Sequence, residues 1–338
     1  MGIGHIMAVM RLLTFLIAMM ACTQPGLAGI YDPEKPVLDV PEELPFEMFR
    51  DRRADQLRIG IAKTKENEAA SAALAVLKQK ADLTANELVR RGILELKLRD
   101  FEAALADLNL AYRRDSNSFW AFTARGTAFQ QTGQFDEAVE NLDIAKGLMP
   151  PAWPLPAEAA AAKRDEAAQL KLARLRQHEQ AGRGNRAASR ELDVLFDVKF
   201  MGPSGEYEAG KIAPGELAKL PPDAIATVQQ LLFWLPDDVR LYWLLGELYN
   251  AKGDLDSAFA VFDECVGRYD APDLRRHRQI VRDAIAARSP PPSPPISWAP
   301  TAQQIVLVAA VIAPVLLVLV YFQLRIVARR MRRRRNQP

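Results

Sequence analysis

The sequence predicts a mainly α-helical fold: a solenoid of helix-turn-helix repeats, with room for one small β-hairpin insertion, carried between an export signal and a single transmembrane helix. Three observations predict it. Small and large apolar residues recur at a 34-residue spacing in the middle of the chain, an uncharged run of bilayer length lies near the C-terminus, and a short basic-then-apolar segment opens the chain.

At 338 residues, with 49% apolar and 25% charged content, the chain has the means to bury a sizeable core, and its composition is not that of a disordered protein. The net charge of +2 conceals a segregation. Residues 1–28 carry Arg11 alone, residues 301–338 carry seven Arg, and neither stretch has an Asp or Glu. The remainder therefore holds 36 basic against 42 acidic side chains and has no electrostatic reason to seek nucleic acid.

In chain order, residues 1–28 read as a signal peptide: Arg11 precedes LLTFLIAMMA, and the small-residue site Gly26-Leu27-Ala28 would leave a mature chain beginning near Gly29. Cys22 after MMA is a poor lipidation site. Residues 29–84 open with a proline-rich stretch and continue as two helical segments, 46–62 and 66–81, that cap the repeat region. The strongest signal comes next. Gly92 and Gly126 stand 34 residues apart, with Leu88, Phe101, Ala104, Leu108 and Ala111 around the first. Phe122, Phe129, Gly133, Phe135, Ala138, Leu142, Ala145 and Pro150 surround the second, and together these define a repeat pair over 85–152. A further copy centres on Gly246, with Tyr242, Leu245, Tyr249, Gly253, Leu255, Ala258, Phe262 and Cys265 in register. Ala224, Val228 and Leu231 before Pro236 fit the second helix of a degenerate repeat, giving a second pair over 205–272. Cys265 falls where small apolar residues pack, so it reads as a buried structural thiol.

Residues 153–204 do not fit the repeat. They hold an Ala-rich charged helix over 157–182 and then LDVLFDVKF, in which Leu192, Val194, Phe196, Val198 and Phe200 alternate with mostly polar neighbours in the two-residue period of a strand. A hairpin turned by GPSG is one reading and a helix through 187–197 the other. Residues 273–288 form a capping helix, and the proline-rich linker 289–300 is an extended spacer of roughly 3 Å per residue. Residues 303–324 contain the uncharged run Ile305 to Phe322, which as a helix rises about 27 Å and reads as one transmembrane span. The Arg-rich tail 325–338 marks its cytoplasmic end, which places the large domain in the periplasm or outside the cell.

The recurring Gly, Ala and aromatic positions resemble the tetratricopeptide repeat (TPR), a family of stacked helix pairs. The resemblance covers about 136 residues and implies a superhelix whose concave groove, lined by the first helix of each pair, receives proteins or peptides. It further implies that Trp120, Thr123, Thr127 and Gln130, and in the last repeat Arg240, Trp243, Glu247 and Asn250, face that groove as partner-binding residues. Some TPR domains hold a chaperone's C-terminal carboxylate with Lys, Asn and Arg. Here Val89 and Ile93 stand at two of those positions and only Arg240 matches, which disfavours that partner.

Catalytic chemistry is poorly represented. Gly205 to Ile212 (GEYEAGKI) satisfies the spacing of a phosphate loop, but Ile212 replaces the Mg²⁺-binding hydroxyl and Glu206 and Glu208 repel phosphate, so it reads as a surface turn. His5, His178 and His277 have no Cys or His at metal spacing, and Asp237 and Asp238 look like loop caps. The reading is therefore a non-enzymatic, membrane-anchored protein-interaction adaptor without a cofactor or metal, its partner an unknown protein or peptide. The alternatives are an accessory or assembly subunit of a membrane complex and, third, an exported enzyme using the insertion near 190–212.

Overall fold

The computed structural model describes residues 43–58, 65–150, 156–182 and 191–288. The predicted signal peptide, linker, transmembrane helix 303–324 and Arg-rich tail lie outside the described residues. Among the described residues no helix is long and apolar enough to cross a membrane.

Twelve helices are found there: α1 (Phe46–Leu57), α2 (Lys65–Lys78), α3 (Ala85–Lys97), α4 (Phe101–Arg114), α5 (Phe119–Gln131), α6 (Phe135–Leu148), α7 (Pro156–Ala181), α8 (Pro214–Leu217), α9 (Ala224–Trp234), α10 (Val239–Lys252), α11 (Leu255–Val266) and α12 (Pro272–Arg288). The repeat register is met in α3/α4, α5/α6 and α10/α11, each pair crossing at a glycine. A Cβ on Gly92 would stand 2.7 Å from Leu108 Cγ, one on Gly126 2.6 Å from Leu142 Cγ, and one on Gly246 2.5 Å from Phe262 Cε1. Only a residue without a side chain lets the second helix bring its large apolar residue this close. Ala104, Ala138 and Ala258 on the second helices are fully buried at the same crossings.

Local chemistry sets the helix ends. Thr84 and Glu87 form a capping box on α3, and Asp100, Ser118, Asp238 and Asp254 accept backbone N–H groups at the starts of α4, α5, α10 and α11. The turn inside each repeat needs a left-handed residue. Gly133 (φ +74°) and Gly253 (φ +85°) supply it in two copies, whereas the first copy uses Arg99 at φ 61°.

Two sequence expectations change. Residues 191–200 form neither strand nor helix: they run irregularly along the surface of other elements, and the only pairing among the described residues of the insertion is an isolated antiparallel bridge between Glu208 and Lys211. Their alternation has another cause, because buried Leu195 inserts into the core beside a buried carboxylate, Asp193. Second, the degenerate repeat over 205–272 has its second helix, α9, but no first helix. Turns and the four-residue α8 occupy that stretch, since Pro203, Gly205, Gly210 and Pro214 interrupt any helix there. The Ala-rich segment is instead a packed helix. Leu170 and Ala173 of α7 join Ala138 and Leu142 of α6, and Ala162 joins Phe119, Phe122 and Ala145.

The helices then close on one another. Trp234 at the end of α9 shares an apolar cluster with Leu88, Val89, Ile93 and Leu96 of α3 and Ala121, Ala124 and Ala128 of α5. The Gln131 amide donates to the Trp234 carbonyl at 2.9 Å. On another side, Phe49 of α1 packs against Phe233 and Tyr242, while Arg53 donates to the Pro236 carbonyl at 3.0 Å and lies 3.7 Å over the Tyr242 ring. The two capping segments expected over 46–62 and 66–81 correspond to α1 and α2.

Candidate functional site

On α10, Arg240, Trp243, Glu247 and Asn250 fall at helical spacing along one face. Asp238 caps the helix by accepting the Leu241 N–H at 3.0 Å, and Gly253 ends it in the left-handed conformation. All four side chains meet other parts of the same chain. Arg240 donates to the Glu191 carbonyl at 2.8 Å and to Glu179 at 2.6 Å, and pairs with Asp193 at 2.8 Å. Trp243 donates its ring N–H to Glu247 at 2.7 Å, and the same carboxylate oxygen lies 2.7 Å from His277 Nδ1 of α12. Asn250 accepts the Gly210 N–H at 2.7 Å and donates to the Glu208 carbonyl at 3.1 Å. The resemblance implied a groove open to partners. In the structure Trp243, Glu247 and Asn250 are buried and the insertion lies across the face.

The ends of this face differ chemically. At the Arg240 end, Asp193 has no exposed side-chain surface and is gripped by both guanidinium nitrogens of Arg176 at 2.8 Å, while Arg176 also reaches Asp238 at 2.7 Å. Burial alone would favour a neutral Arg176. Asp193 and Asp238 outweigh it and hold the guanidinium more firmly charged than usual. At the middle, Tyr207 stacks on His277 with ring centroids 3.5 Å apart and 6° between planes. Burial, and then the Glu247 carboxylate, push the Tyr207 hydroxyl well above its ordinary range. Cys265 is buried within the C-terminal core, its thiol pushed up to about 12 by burial, so it is an inert packing group.

The positions on α5 are also covered. Thr123 donates to the Trp120 carbonyl at 3.1 Å and Thr127 to the Thr123 carbonyl at 3.0 Å. Gln169 of α7 donates to the Thr127 hydroxyl at 2.8 Å and to Gln130 at 3.3 Å. Trp120 is half-buried, its ring edge-on to Phe119 at 4.9 Å. Nearby, Asp165 bonds with Thr227, and burial followed by the Asp223 carboxylate raises it to about 7. The GEYEAGKI segment is a turn clasped to Asn250, with left-handed glycines at 205 and 210. Among the described residues no group of three or more His, Cys, Asp or Glu could hold a metal ion.

Sequence reasoning missed Arg176, Asp193, Tyr207 and His277 as members of this face. Only Asp193 left a trace, as the charge breaking the apolar run LDVLF.

The helix pairs, their glycine crossings and the single lined face define a TPR-like helical-repeat protein. Residues 239–271, which are α10 and α11 with their flanks, match the family model described as tetratricopeptide repeat. A solved structure, the MamA RS-1 ArsTM double mutant, aligns over 68% of this chain and 94% of its own at 17% identity, with a TM-score of 0.28 that is too low to carry an argument. No curated protein sequence matches the chain.

Proposed function

We propose that this protein is a non-enzymatic adaptor, anchored by the helix 303–324, that presents its repeat domain outside the cytoplasm to a protein or peptide partner. The observation that carries the interaction reading is the repeat itself: α10 and α11 match the tetratricopeptide repeat, and stacked helix pairs of this kind create binding faces. The membrane part is supported by the sequence, in which the uncharged run Ile305 to Phe322 directly abuts the Arg cluster. Crosslinking in intact cells, followed by recovery of the partner with the full-length protein, tests the interaction. Protease added from outside tests the topology and should remove residues 29–300 while sparing the tail. A central domain inaccessible in intact cells would overturn the anchoring, and recovery of no crosslinked protein would overturn the adaptor.

A further inference from the structure

We propose that residues 191–210 are a resident ligand of the α10 face, and that the partner is an extended acidic segment that takes their place. The inference rests on the adaptor reading and names the partner's chemistry.

Three observations carry it. First, the insertion is held through groups that almost any acidic chain can offer: one carboxylate (Asp193), two main-chain carbonyls (Glu191 and Glu208) and one main-chain N–H (Gly210). Second, the described residues of the insertion have no ladder of their own beyond the isolated Glu208–Lys211 bridge, so their path is set by the face they lie on. Third, the polar anchor cannot simply be vacated. With Asp193 withdrawn, Arg176 and Arg240 would lose the carboxylate they share in a site where each is only 13% and 12% exposed. Exchange of one carboxylate for another avoids that cost, which is why the incoming segment must be acidic. Leu195 and Tyr207 anchor the insertion through buried apolar surface, so the segment also carries an apolar residue near its carboxylate.

Geometry gives its length. Arg240 and Asn250 are ten residues apart on one helix, a rise of about 15 Å, which an extended strand covers in about five residues. The partner segment therefore places an Asp or Glu at the Arg176–Arg240 end and a main-chain N–H and C=O for Asn250 about five residues away.

The probe is a fluorescein-labelled peptide with the sequence of residues 191–200, titrated by anisotropy against the full-length protein. Asp193→Asn should weaken the resident segment, so this variant binds the peptide at least tenfold more tightly than wild type. Adding Arg240→Ala should remove the gain. Equal binding by wild type and Asp193→Asn, or a gain that survives Arg240→Ala, overturns the proposal. Because Asp193→Asn could destabilise the domain, hydrogen exchange on the wild type gives a second reading. The Gly210 amide should exchange well before those of Leu244 and Leu245, and faster still with excess peptide. Exchange at Gly210 as slow as at Leu244 and Leu245 makes the insertion part of the core and overturns the proposal. Partner recovery by crosslinking with no peptide exchange sinks this inference alone, whereas peptide exchange with no recoverable partner sinks the adaptor reading.

Discussion

Replacing Gly246 with Ala tests the repeat crossing most directly. The added Cβ would lie 2.5 Å from Phe262 Cε1, 2.8 Å from Phe262 Cδ1 and 3.1 Å from Val261 Cγ1. Phe262 and Val261 are both fully buried, so neither retreats without disturbing its neighbours. Overpacking of this kind costs about 1 to 3 kcal/mol. Against it stands the helix preference of Ala over Gly, about 1 kcal/mol. The net expectation is a loss of about 0 to 2 kcal/mol, and Gly147→Ala is the control that separates the two effects. Gly147 lies in α6 with nothing within 4 Å of an added Cβ, so it receives the preference without the clash. The two variants should therefore differ by about 1 to 3 kcal/mol. For a domain of this size that is a gap of roughly 2 to 12 °C in melting temperature, readable by circular dichroism. If Gly246→Ala raises the melting temperature as much as Gly147→Ala does, the helices do not cross at Gly246 and the repeat register is wrong.

Arg99→Gly should raise the melting temperature, because it releases a left-handed residue whose strain is of order 1 kcal/mol, while the exposed pair with Asp237 contributes little; an unchanged or lower value counts against the strain. Trp243→Ala should cost about 3 to 5 kcal/mol and melt the domain early, since this Trp is buried and bonded to Glu247, and a folded variant of wild-type stability would return it to an open groove. Asp165 holds its proton more tightly when folded (about 7) than its ordinary 3.8, so its contribution to stability is present at low pH and falls as pH rises from about 4 through about 7. Glu95, raised to about 7 by burial and then by Asp107, acts in the same direction, so Asp165→Asn should remove only part of the fall, and denaturant midpoints at pH 4 and pH 8 measure it. Alkylation of native protein, mapped by mass spectrometry, should leave Cys265 unmodified until denaturant is added.

Sequence alone determined the repeats, because a helix crossing is a local demand repeated at a fixed interval. The close approach of Leu108, Leu142 and Phe262 requires Gly92, Gly126 and Gly246, and such a requirement is written at the positions that meet it. Caps such as Thr84 with Glu87, and the buried place of Cys265, were legible for the same reason. The path of residues 191–213 was decided only in three dimensions. Their two-residue alternation is the pattern of a strand, yet a strand needs a partner edge, and the described chain offers none there; what it offers is the face of α10, fixed by side chains 40 residues and more away in sequence, such as Asn250 for Gly210 and Arg240 for Glu191. The missing first helix of the degenerate repeat and the clamp of Arg176 and Arg240 on Asp193 are likewise products of packing between distant segments. So is the state of the groove. Helical spacing placed Arg240, Trp243, Glu247 and Asn250 on one face, but whether that face meets solvent or the protein's own chain depends on where the insertion comes to rest, and no period in the sequence encodes a contact between segments that are neither repeated nor adjacent.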